Sequence, residues 1–279
     1  MKKKLLITLS LFVILLLPLA AKAYKIGDED INIPAPEGFY EVTPEHGEIS
    51  NFFDSLSPKG TKRIASFVSK EDIALIMMNG SPELNRYFQV MIENSRETDY
   101  LSPEDFAQLK VQEKEVNKSL SDEDIKNLLE DNVSNIITSI SNMSGADVGI
   151  KGVESVSLGV QEDGENYIIF PKLTKYEISS PPPQESIRFL RVGARAVILM
   201  KGKVIHIMTT ASYQSKEDLE WTQQIMKSWI QNINKNNDNI SKKSTVSKTD
   251  GTISYYVVEL LIAIYAIIYF IKQKKTKDT

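Results

Sequence analysis

Residues 253 to 271 read ISYYVVELLIAIYAIIYFI, an apolar run with a single carboxylate, Glu259, in its first third. A helix of about 20 such residues matches the hydrocarbon thickness of a bilayer. Lys272, Lys274, Lys275 and Lys277 follow at once. Positive residues are retained on the cytoplasmic side, so the run predicts a single transmembrane helix with a short basic tail, 272–279, inside. No LPxTG-type motif precedes it, so a link to the cell wall is not expected.

The other end of the chain agrees. Lys2, Lys3 and Lys4 precede an apolar stretch from Leu5 to Leu17, and Ala21-Lys22-Ala23 has the small-x-small form of a cleavage site. This is the layout of a secretory signal peptide over residues 1–23. The alternative, an uncleaved anchor, would need a longer apolar stretch. Residues 24–234 are then expected to form one extracytoplasmic domain, joined to the span by a polar, aperiodic linker at 235–252.

The whole chain carries a formal charge of −4, but residues 24–252 hold 25 Lys and Arg against 35 Asp and Glu, a net −10. An acidic domain repels nucleic acid, so none is expected as a partner. There is no cysteine, which excludes disulfide staples and thiol catalysis. A lysine-rich leader and a cysteine-free exported domain suit the periplasmic side of a bacterial inner membrane.

Within 24–234 the patterns alternate between two periods. Ile31 and Ile33 read as a strand leading into a turn at Pro34–Gly38. Thr43-Pro44-Glu45 reads as a helix start, with Ile49, Phe52, Phe53 and Leu56 on one helical face. RIASFVS and RYFQVMIEN read as strands, and IALIMM, residues 73 to 78, as a possible strand continuing the first through a turn at Lys70-Glu71-Asp72. Helix starts follow at Ser102 and Ser121, the second heading a strong amphipathic pattern from Ile125 to Met143. VESVSLGV and NYIIFPKLTKYEI predict a hairpin about Asp163-Gly164. SSPPPQES is a loop, since three prolines cannot donate to a sheet. IRFLRVGARAVILM and KVIHIMTTAS predict a hairpin about Lys201-Gly202, and Ser215 caps a final helix. Helices that do not alternate strictly with strands predict an α+β fold, mostly antiparallel sheet covered by helices.

INIPAPEGFYEV, the pair RAVILMKGKVIHIMTTAS and the helix SKEDLEWTQQIMKSWIQNI together resemble the PsbP-type α/β sandwich. That group includes an extrinsic subunit of photosystem II, a Ran-binding nuclear import factor and many bacterial envelope proteins. The likeness covers most of residues 26–234. The two helical stretches between Ser102 and Gly145 exceed a minimal version. It implies a binding or assembly accessory and transfers no catalytic motif.

The search for chemistry turns on few residues. His46 lies between Glu45 and Glu48, but three ligands within one helical turn converge poorly on a metal. His206 shares a strand face with Val204 and Met208 and reads as a hydrogen-bonded strand histidine. Arg191 and Arg195 share a strand face at i, i+4, with Arg188 on the other; the pair has the chemistry to clasp a carboxylate or phosphate, though surface salt bridges are the commoner fate. Trp221 falls on the polar side of the final helix; an exposed indole there would be a contact residue, and burial against a loop is the equal alternative. Asp122, Glu123 and Asp124 lack the twelve-residue pattern of a calcium loop. No cofactor is implied.

The expectation is a non-enzymatic, membrane-anchored binding or assembly protein of the envelope, with a protein partner contacted through Glu259, Trp221, Arg191 or Arg195. A carboxylate inside a span is costly, and a functional role is the default reading for it; the alternative is that Glu259 is protonated or reaches toward the outer interface beside Tyr255 and Tyr256. The alternatives are a hydrolase using a histidine–carboxylate site and a sensor of a small lipid or peptide ligand.

Overall fold

A computed structural model of the chain describes residues 22–58, 60–78, 80, 82–119, 149–179 and 187–237. The expected signal segment (but for Lys22 and Ala23), the amphipathic pattern at 125–143, the proline-rich loop, the span with Glu259 and the basic tail lie outside these residues. Among the described residues no helix is long and apolar enough to cross a membrane.

The fold is α+β. A small hairpin, β1 (Ala23–Ile26) with β2 (Glu29–Asn32), precedes an eight-stranded antiparallel sheet. Its strands are β3 (Phe39–Glu41), β4 (Thr61–Ser69), β5 (Arg86–Glu93), β6 (Gly149–Ser157), β7 (Glu162–Asp163), β8 (Tyr167–Ser179), β9 (Ile187–Met200) and β10 (Lys203–Ser212). They lie in the order β3-β4-β5-β10-β9-β8-β6, with β7 on the β6 side of β8. Strand β1 takes in Ala23, the last residue of the expected signal peptide.

Among the described residues four helices accompany the sheet: α1 (Glu48–Ser55), α2 (Lys70–Met77), α3 (Pro103–Ser119) and α4 (Lys216–Lys235). Helix α4 packs Met226, Trp229, Ile230 and Ile233 onto one sheet face, against Phe67, Phe88 and their neighbours. Trp229 meets Phe67 and Phe88 edge-on and donates from Nε1 to the carbonyl of Pro34 at 2.7 Å. The opposite face, hereafter the far face, holds Phe106 of α3 with Ile168, Phe170 and Val197, and Phe53 of α1 against Tyr87.

Turn chemistry accounts for the connections. Lys201 and Gly202 both have positive φ, the conformation of a two-residue turn whose twist matches its strands. A side chain at Gly202 would collide with the Tyr100 ring, so glycine is required there twice over. Pro171 sits inside β8 without breaking the ladder, because its missing N–H faces Leu158, just past the end of β6.

Two expectations need correction. IALIMM is helix, not strand: Ser69 accepts from the amide of Asp72 as an N-cap, and Ala, Leu and Met carry the turn onward. The packed domain extends past residue 234, because Asn237 is buried and its side chain donates to the carbonyl of Asn32 while accepting from its amide.

Candidate functional site

Strand alternation collects most of the predicted polar residues on the far face. By register Arg195 of β9 stands beside Met208 of β10 and Phe170 of β8, and Arg191 stands beside Thr174. The expectation that the two arginines share a face holds. They do not end as surface salt bridges. Arg195 bonds Glu113 of α3 at 2.6 Å, with both side chains largely buried. Arg191 is 2% exposed and donates from one Nη to the carbonyls of Leu84 and Asn85, with its guanidinium over the Tyr87 ring. The two are separated by two residue pairs of a strand, about 13 Å, and hold different partners. Arg188, on the other face, pairs with Glu177 at the surface.

His206 lies on the same far face, 1% exposed. Its Nε2 is 3.6 Å from Glu93, which is itself paired with Arg96 at 2.9 Å. Burial, with Arg195 and Arg96 nearby, holds the imidazole well below its usual pKa and therefore neutral. A histidine–carboxylate contact exists, but it is sealed inside the fold. Glu93, Arg96 and Glu113 escape a reading by motif; the one available signal is that Tyr87, Gln89, Met91 and Glu93 alternate onto a single face of β5.

The linkage sign is set by that neutral state. The unfolded chain binds a proton at His206 near pH 6.5, while the folded chain resists it. Stability is therefore independent of this residue above that pH and falls as pH drops below it, by at most about 1.4 kcal/mol per pH unit until the folded pKa is reached. Urea midpoints between pH 7 and 5 should decline in the wild type and flatten in His206→Gln; identical slopes would refute the assignment.

His46 has a local role. Its Nδ1 accepts from the Thr43 amide at 2.9 Å, closing a capping box over the 3₁₀ turn Pro44–His46. It does not join Glu45 and Glu48 in a cluster, and among the described residues no group of three or more His, Asp or Glu side chains is arranged to hold a metal. Trp221 is half-buried, between the rings of Phe39 and Phe88, with the Arg86 guanidinium stacked on it at 4.2 Å. Arg86 is held in turn by Asp218 at 3.2 Å. The indole is the rim of the core under α4.

Two stretches of the open surface are apolar. The middle of the excursion between β4 and β5 reads IALIMMNGSP, residues 73 to 82, with no charge. Both of its ends are tied to one carboxylate: buried Asp72 bonds Ser69 on one side and accepts from the amides of Glu83 and Leu84 on the other. Held at its base, α2 presents Met77 and Met78 at its tip, 74% and 71% exposed. A second open row, Val156, Leu158 and Val160, follows the edge at β6, with Leu190 exposed two strands away. Single exposed apolar residues are ordinary, but contiguous ones mark contact surfaces. Sequence reading missed both, since helical or strand period alone does not tell a core stripe from an exposed one.

No family model matches the chain, and no curated protein matches it.

Proposed function

We propose that this chain is a binding or assembly accessory of a bacterial envelope, anchored by one C-terminal span, with its α+β domain on the periplasmic side of the inner membrane. The observation that carries the reading is the uncharged tip of α2, whose two methionines stand in solvent on a rigidly pinned base. Methionine is flexible and polarisable, and suits surfaces that adapt to another protein. The sequence resemblance to the PsbP-like sandwich, a group of accessory proteins, supports the same reading.

The position of the tip fits a tethered domain. The described chain ends at Asn237, beside β2 and the Lys201-Gly202 turn. The α2 tip follows Ser69 and precedes Arg86, at the opposite end of the sheet, about 30 Å away by strand length. A domain tethered through residues after Asn237 can hold this tip away from its own bilayer.

The test is recovery of partners from solubilised membranes with the full chain as bait. Met77→Asp with Met78→Asp should reduce recovery of a reproducible partner at least tenfold while leaving the melting temperature within about 2 °C, as expected for exposed positions. Glu259→Leu in the same experiment reports whether the span contributes. A bait that repeatedly returns no stable partner, or recovery indifferent to the tip, would count against the proposal.

A further inference from the structure

The two edges of the main sheet are guarded unequally. At one end β3 is three residues long. At the other end β6 has nine residues, and among the described residues it pairs with β8 alone. Its first half is interrupted by a bulge between Ile150 and Gly152, a device that spoils an edge for further pairing. Its second half runs in unbroken register from Gly152 to Ser157 against β8.

Backbone chemistry defines what this half can accept. The amide of Leu158 donates to Pro171 across the ladder. Hydrogen-bonded positions alternate in an antiparallel pair, so the amides of Glu154 and Val156 also face β8. Those of Ser155 and Ser157 then point away from the sheet. The side chains agree in their alternation. Ser155 meets Thr174 on the far face, whereas Glu154 reaches Lys175 beside exposed Val156 on the α4 face. Outward amides flanked by Val156, Leu158 and Val160 are a template for one more strand.

We propose that the Gly152–Val160 edge binds an extended segment of a partner protein by strand addition, with apolar residues at alternate positions and basic residues flanking them. Charge selects this occupant over a second copy of the chain. Residues 24–252 carry a net −10, so two copies repel, and the same field favours a cationic incoming strand; Glu154 on this edge is already paired with Lys175 and adds no free charge. Main-chain bonds supply affinity in such a complex and alternate side chains supply specificity. The inference rests on the protein-binding reading above but uses a different surface.

The probe is a synthetic peptide, Lys-Val-Thr-Val-Thr-Val-Lys, titrated onto the full chain in detergent micelles, with a Glu-flanked version for comparison. The Lys peptide should slow hydrogen exchange at the Ser155 and Ser157 amides and bind at least tenfold tighter than the Glu peptide. Ser155→Pro removes an outward donor without removing a ladder bond, and should weaken binding tenfold or more with the fold intact by circular dichroism. Ser157→Pro serves as a second variant should the first unfold. Absence of binding, equal binding of the two peptides, or binding indifferent to both prolines would overturn the proposal. So would self-association: the chain has no cysteine, so efficient disulfide dimers of Val156→Cys would show that a second copy occupies the edge. Loss of partner recovery on altering Met77 and Met78 bears on the α2 tip alone, so the two readings fail separately.

Discussion

Trp229→Ala should be the most damaging single substitution in the described domain, lowering stability by about 4 kcal/mol or more. The indole is 2% exposed and sits where α4, β4 and β5 meet, edge-on to Phe67 and Phe88 at ring separations of 5.6 and 5.0 Å. Truncation to alanine removes its transfer free energy and leaves a cavity between elements far apart in sequence. It also removes the donor to the carbonyl of Pro34, which ties the N-terminal hairpin to α4. Trp229→Phe separates the terms: most of the packing stays, and the lost hydrogen bond costs about 1–2 kcal/mol. For a domain of this size the alanine variant should melt about 8–16 °C lower. Trp221→Ala is the comparison, since that ring is only half-buried and should cost less than half as much. Equal losses at the two tryptophans would show that α4 is not held to the sheet as described.

Breaking the Arg195–Glu113 pair should come next, at about 3 kcal/mol for Glu113→Ala. The bond is 2.6 Å long and both side chains are largely withdrawn from water. Removing the carboxylate leaves a guanidinium in a poorly solvated place, beside the Phe170 ring and near neutral His206. The cost is the loss of a close counter-charge from a buried guanidinium, not the value of the pair. The double variant Glu113→Leu, Arg195→Met should therefore recover most of the loss, because a well-packed apolar pair is often as stable as a buried ionic one. A denaturation cycle over the four proteins measures the coupling, expected between about 1 and 3 kcal/mol. A double variant no better than Glu113→Ala would show that Arg195 is needed for more than its partner.

Much of the architecture was legible because hydrophobic period is a local property. Ile49, Phe52 and Phe53 mark the buried side of α1, and Met226, Trp229, Ile230 and Ile233 that of α4. The Lys201-Gly202 turn and the Ser215 cap were readable from residue chemistry alone. The misreading of IALIMM has a physical cause. A short apolar run has no clear period, and the deciding contact is the Ser69 cap followed by stapling of Glu83 and Leu84 to Asp72, eleven and twelve residues away. The candidate sites were less legible for a related reason. Arg191 and Arg195 were correctly placed on one face, but their partners, the Leu84 and Asn85 carbonyls and Glu113, lie 82 to 107 residues off along the chain.

The sequence by itself determined which residues alternate, most of the turns and caps though not the one at Ser69, that the domain is acidic, and that no cysteine can staple it. Those follow from bonds and periods spanning a few residues. Only the tertiary structure decided that the arginines and His206 are sealed inside, that Trp221 packs beneath Arg86, and that Met77, Met78 and Val156 are left in water. Exposure is a property of what lies opposite a side chain, and that is set by strand order and helix placement rather than by neighbours in sequence.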